Sequence, residues 1–127
     1  MAENTEYKTI LIIDDSSTII DMLTLTLRKN SYNVLSASGG IEGLAYLDGR
    51  DINLIITDLY MPEPNGIELT RIVRSTIQYK EVPILLLTTE SDLSSKNKAK
   101  LEGATGWITK PFTPEKLLHA VKTIIGK

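Results

Sequence analysis

An α/β fold on a parallel β-sheet is predicted by three features of this sequence. Short runs of branched apolar residues recur along it, stretches of helical periodicity separate them, and three of the runs are apolar at consecutive positions. A strand with one face in water alternates apolar and polar residues. A strand covered on both faces need not, and in such sheets the covering layers are helices.

The elements follow in order. Thr9-Ile10-Leu11-Ile12-Ile13 predicts a strand over 8–14. Ile19, Ile20, Leu23 and Leu27 then share one helical face, which predicts a helix over 16–29 that Asn30 can close. Asn33-Val34-Leu35 gives a second strand over 33–37, followed by a helix over 40–48. Leu54-Ile55-Ile56-Thr57 gives a third over 53–58, and Asn65-Gly66 offers a turn before a helix over 66–75. Ile84-Leu85-Leu86-Leu87 marks a fourth strand over 83–88, with a helix over 92–102 after it. The weaker run Gly106-Trp107-Ile108-Thr109 is the fifth strand. Leu117, Val121, Ile124 and Ile125 align on a last helix over 114–125, started by a capping hydroxyl at Thr113, a preset first-turn residue at Pro114 and an acid at Glu115. Five βα units account for the chain, so one domain over residues 1–127 is expected, with 1–7 as a flexible tail.

Composition narrows the function. A chain of 127 residues, 42% apolar, suits one continuous core. The net charge of -2 and the dispersed 14 basic residues leave no footprint for nucleic acid. No cysteine is present, which excludes disulfides, thiolate metal sites and a cysteine nucleophile, and fits a reducing compartment. The single histidine, His119, excludes sites that need two histidines, and its place in the last helical pattern is far in sequence from the acidic pairs. The first nine residues carry three charges and no apolar run, and no stretch reaches the roughly 18 apolar residues of a membrane span. A cytoplasmic protein that binds no membrane is expected.

The residues that follow the apolar runs carry the chemistry. The first run ends in Asp14-Asp15, the third in Asp58, the fourth in Thr88-Thr89 and the fifth in Lys110-Pro111. In a parallel sheet all strand C-termini lie along one edge, where open α/β sheets bind ligands. Taken singly, each piece is an ordinary cap or loop residue. Together they predict three carboxylates, a hydroxyl and an ammonium in one pocket. Three crowded carboxylates repel one another, and a hard divalent cation removes the conflict; magnesium suits such an incomplete acidic cage, and it bridges to phosphate oxygens. The expected reaction is phosphoryl transfer onto a carboxylate, with Lys110 and Thr88 holding the transferred oxygens.

Four separated motifs in this order, Ile12-Ile13-Asp14-Asp15-Ser16, Asp58-Leu59-Tyr60-Met61-Pro62 with Asn65-Gly66, Leu87-Thr88-Thr89 and Gly103-Ala104 through Lys110-Pro111-Phe112, resemble the receiver domain of two-component response regulators. The resemblance covers essentially the whole chain and is greatest to stand-alone chemotaxis receivers. It implies a doubly wound, flavodoxin-like sheet in the order 2-1-3-4-5. It implies that Asp58 accepts the phosphoryl group, that Asp15, Asp58 and the Tyr60 backbone carbonyl hold Mg2+ directly, and that Asp14 acts through a water. Mn2+ substitutes for Mg2+ in this picture. It further implies a cis peptide between Lys110 and Pro111, Thr88 as the switch hydroxyl, Trp107 as the switch aromatic, and Tyr60 and Glu90 as residues that tune hydrolysis.

Three positions depart from the family pattern. Asn65 stands where Asp is usual, outside the metal shell. Trp107 replaces the usual Tyr or Phe and has no phenolic proton to donate. Tyr60 is bulky beside the expected pocket mouth, which predicts that it shields the acyl phosphate from water.

The resemblance implies a histidine kinase as phosphodonor and output through the fourth predicted helix, the fifth strand and the last helix. A flagellar motor switch protein is the first candidate target, a phosphatase a further partner, and the protein a monomer. Lys96, Lys98, Lys100 and Lys116 tint that surface basic, although a spacing of two scatters lysines around a helix. A phosphorelay intermediate or phosphate sink would use the same pocket. Two remoter readings remain: a magnesium-dependent phosphohydrolase, which would want Asp-x-Asp where this chain has adjacent acids, and a flavin binder, whose phosphate Asp14-Asp15 would repel. The expected protein is a phosphoacceptor that phosphorylates and resets itself, not a conventional enzyme.

Overall fold

The computed structural model describes residues 6–89, 97, 98, 100 and 102–126. Five parallel strands form one sheet: β1 (Thr9–Ile13), β2 (Asn33–Ala37), β3 (Leu54–Asp58), β4 (Ile84–Thr88) and β5 (Gly106–Thr109), in the spatial order β2-β1-β3-β4-β5. The helices are α1 (Ser17–Lys29), α2 (Gly40–Leu44), α3 (Gly66–Arg74) and α4 (Pro114–Ile125), with a 3-10 turn at Ile77–Tyr79. Asn97, Lys98 and Lys100 are helical, within the expected 92–102 helix; the other residues of that span, apart from Glu102, lie outside the described residues, as do Glu90, Lys96 and residues 1–5 of the expected tail.

The consecutive apolar runs are explained by two cores, one on each face of the sheet. Ile10 and Ile12 of β1, Leu54 and Ile56 of β3, and Leu85 and Leu87 of β4 join Leu23 and Leu27 of α1 and Leu117 and Val121 of α4. Leu11 and Ile13, Ile55, and Ile84 and Leu86 face the other way, against Leu69 and Val73 of α3. Successive side chains point to opposite faces, so both sets must be apolar.

Local chemistry sets the helix ends. The α4 bounds match expectation: Thr113 accepts from the Lys116 amide at 3.1 Å, and Gly126 takes the left-handed conformation past the end. Asn65 is a cap as well as a turn residue, for its side chain and that of Glu68 bond each other's backbone amides in a capping box. Asn30 closes α1, yet the left-handed residue is Ser31 (φ 68°), with the Tyr32 amide reaching back to Leu27 O. The helix expected over 40–48 stops at Leu44. Beyond it the Tyr46 and Leu47 amides bond Gly43 O and Leu44 O, three residues back, and this tighter winding sets the Tyr46 hydroxyl on Ser36 O. Gly40 and Gly43 both pack closely: a Cβ at Gly40 would meet the backbone oxygen of Pro64 at 2.5 Å, and one at Gly43 would press on the end of the buried Ile13 side chain, which would have to shift.

Candidate functional site

Parallel pairing carries the strand ends to one edge. Ile13 pairs with Thr57 and Ala37, Asp58 with Leu87, and Thr88 with Thr109, so Asp14, Asp58, Thr88 and Lys110 sit at or just past neighbouring strand termini. Lys110 is held in place by its own amide, which donates to Thr88 O at 2.7 Å, and the Lys110–Pro111 peptide is cis. A second cis peptide, Glu63–Pro64, lies in the loop between β3 and α3; no sequence signal beyond the proline itself marked it.

Asp14, Asp15 and Asp58 each place a carboxylate oxygen within 4.8 Å of the other two. Among the described residues this is the only group of three or more metal-ligating side chains so close together. The Lys110 ammonium lies 3.2 Å from Asp14 Oδ2 and 3.4 Å from Asp58 Oδ1. The other Asp14 oxygen accepts from the Ser16 amide at 2.9 Å, and the Ser16 hydroxyl caps α1 by accepting from the Ile19 amide. Ser16 therefore orients a buried acid, a role that its place in the motif Asp14-Asp15-Ser16 could have suggested. Asp14 is 1% exposed and Asp58 7%, whereas Asp15 is exposed and makes no hydrogen bond or ion pair with any described residue.

Burial, and after it the charge of Asp14, raise the Asp58 carboxyl above the usual aspartate range; Lys110 acts against this, and Asp15 adds to it. One ammonium thus offsets only part of the conflict among three carboxylates. Three convergent carboxylate oxygens with one exposed side fit a hard divalent ion that keeps part of its water shell, and they lack the nitrogen or sulfur donors that zinc sites favour.

The remaining predicted residues fall around this point. Thr88 ends β4 at 2% exposure. Tyr60 lies two residues past Asp58 with 48% of its surface open, and Trp107, on β5, has 39% open. Lys98, Lys100 and Lys116 are exposed. Of the expected tail, Tyr7 is tied to β2 through its carbonyl, which accepts from Asn33 Nδ2 at 3.3 Å. No helix among the described residues is long and apolar enough to cross a membrane.

A doubly wound sheet with an acid triad and a lysine at its carboxyl edge defines a receiver-type site, and the comparisons agree. Residues 10–122 match the response regulator receiver domain, and the chain belongs to that family. Its relatives are CheY-like: chemotaxis protein CheY1 of Helicobacter pylori is 39% identical over 119 residues, spanning 92% of this chain and 96% of that protein. The chemotaxis protein CheY homolog of Campylobacter jejuni is 36% identical, spanning 92% of each. Chemotaxis protein CheY4 of Vibrio cholerae superposes with a TM-score of 0.89 at 41% identity, covering 93% of this chain and 98% of that one.

Proposed function

We propose that this protein is the phosphoryl-accepting component of a two-component pathway, in which Asp58 takes a phosphoryl group from a phosphohistidine on a kinase in the presence of Mg2+. The observation that carries the reading is the convergence of Asp14, Asp15 and Asp58 on one point, with the Lys110 ammonium within 3.4 Å of two of them. A carboxylate oxygen of Asp58 attacks phosphorus; the P–N bond breaks, its electron pair stays on the ring nitrogen, and an imidazole protonated on its other nitrogen leaves neutral. The product is an acyl phosphate on Asp58. Lys110 holds one transferred oxygen as an ion pair, and the Thr88 hydroxyl donates to another.

Asp15, Asp58 and the Tyr60 carbonyl would hold Mg2+ directly, and Asp14 would do so through a water; Mn2+ would serve in its place. When bound, the ion neutralises the carboxylates against one another and against the phosphoryl oxygens. Attack by water on the acyl phosphate resets Asp58, so the protein is consumed and regenerated as a substrate. Tyr60 covers the bond from water, and Glu90 orients a hydrolytic water or a phosphatase.

We place this chemistry in the cytoplasm and read its output as chemotactic. The supporting observation is similarity to CheY proteins over nearly their full length. The donor is then a chemotaxis-type histidine kinase, and the target is a flagellar motor switch protein engaged through the Lys98–Lys100 region, β5 and α4. A relay intermediate or phosphate sink shares the site and is separated by experiment.

Incubation with acetyl phosphate and Mg2+ should add the mass of one phosphoryl group to the protein and none to Asp58→Asn. Equal labelling of the variant would sink the assignment. A motor-switch pull-down with and without a beryllofluoride phosphoryl mimic tests the output: capture of the activated form alone supports chemotaxis, and back-transfer to a kinase or phosphotransferase without capture supports the relay.

A further inference from the structure

On the β2 side of the acid triad lies a cavity of about 250 Å³, walled by Asp14, Asp15, Ser17, Ile20, Ser36, Ala37, Ser38 and Glu42. At roughly 30 Å³ per water in the liquid, it has room for several. Glu42 is its one charged residue besides the two aspartates. It comes from the third position of α2, and both the amide and the hydroxyl of Ser38 donate to its Oε1. No partner among the described residues meets its other oxygen, and Glu42 is not among the carboxylates that converge within 4.8 Å.

We propose that Glu42 is a positioning residue for the cation of the Asp58 site: its fixed, ionised carboxylate faces the water shell that a magnesium ion retains on this side, and it tightens ion binding without touching the ion. The inference rests on the metal-dependent reading of the site given above. Magnesium gives up its waters reluctantly, and the remaining waters need acceptors. The buried triad supplies acceptors at the centre, while the cavity wall toward α2 otherwise offers only serine hydroxyls and backbone. Ser38 prevents Glu42 from swinging away, and its donated bonds hold the Glu42 carboxyl below the usual range, so the negative charge is permanent at neutral pH. Helix capping accounts for Oε1 alone. A glutamine would accept the same two bonds through its carbonyl oxygen, and the charge also suits the first turn of α2; what the cap leaves unused is the second carboxylate oxygen.

Glu42→Gln separates the two roles. Titration calorimetry with MgCl2 should give a dissociation constant about two- to fivefold weaker than that of the wild type, the range of an exposed charge interaction. The thermal midpoint in EDTA should fall only slightly, because the charged carboxylate accepts the Ser38 bonds and suits the first turn of α2 somewhat better than an amide does, and raising the salt concentration should close the gap in Mg2+ affinity. Asp51→Asn, which removes one exposed charge at the opposite edge of the sheet, should bind Mg2+ like the wild type. Equal affinity in wild type and Glu42→Gln overturns the proposal, and so does an equal loss in Asp51→Asn. Absence of Mg2+ binding by the wild type itself would instead overturn the reading of the whole site.

Discussion

As the proposed phosphoacceptor, Asp58 would combine two demands that oppose each other: burial enough to be shielded and ionisation enough to attack. Burial and Asp14 raise its carboxyl in the metal-free protein, so the folded state holds its proton more tightly than the unfolded chain does. For a group raised in this way, the stabilising contribution is complete below the ordinary aspartate value near ~3.9 and is lost as pH climbs through the raised one. Asp58→Asn should therefore be more stable than the wild type at pH 7.5 in EDTA. The gap should shrink toward pH 3.5 and on addition of Mg2+; urea melts that show the same gap at both pH values would contradict this. Tyr60 yields a kinetic prediction of the same scale. Its half-exposed ring stands two residues from the acceptor, so Tyr60→Asn should shorten the lifetime of the phosphoryl group several-fold in Mg2+, measured by loss of the label. Asp58, Thr88 and Lys110 were legible in the sequence because their side chains follow recognisable strands. Ser16 and Glu42 were not read for their contacts, because a cap looks the same whether or not its far side faces an acid.

Among the elements, α4 was legible to the residue because both ends carry their own chemistry, Thr113-Pro114 and Gly126. The helix α2 was overextended because the packing that shapes it is tertiary. Its two glycines meet Pro64 and Ile13, neither of which is a neighbour in sequence. The turn at Ile77–Tyr79 was likewise missed, for its anchor is remote: the buried Tyr79 hydroxyl accepts from the Gly49 amide at 2.9 Å and donates to Arg50 O at 2.7 Å. Tyr79→Phe strips both groups of a partner and should cost about 1 to 3 kcal/mol in chemical denaturation, with Asp58 phosphorylation retained. At the start of α3, Asn65→Ala breaks a capping box and should cost about 1 kcal/mol. Asn65→Asp, which restores the usual family residue, should keep the cap and add a charge that suits the helix N-terminus.

For the molecule as a whole, the proposed switch requires a link from the carboxyl edge of the sheet to the surface, and β5 offers a physical route for it. Trp107 and Lys110 sit on the same short segment; Trp107 pairs with Leu86 while Thr109 pairs with Thr88, so the two neighbouring strands carry the proposed switch hydroxyl and the proposed switch aromatic in fixed register. In the proposed switch a phosphoryl group on Asp58 would bring charge and strong acceptor oxygens that draw Thr88 and Lys110 toward it, and repacking beside Thr88 would bear on Trp107, which is 39% exposed. A ligand shifts such an equilibrium only through its different affinity for the two states, and in the proposed switch the Thr88 hydroxyl would supply that difference. Trp107 is the sole tryptophan, so its emission reports the shift without a label. Beryllofluoride with Mg2+ should move the emission to shorter wavelength in the wild type as the indole leaves water. Thr88→Ala should still accept a phosphoryl group on Asp58, because the nucleophile and the acid cluster are intact, but its emission should stay where it was. An equal shift in Thr88→Ala would place the link elsewhere than between these two strands.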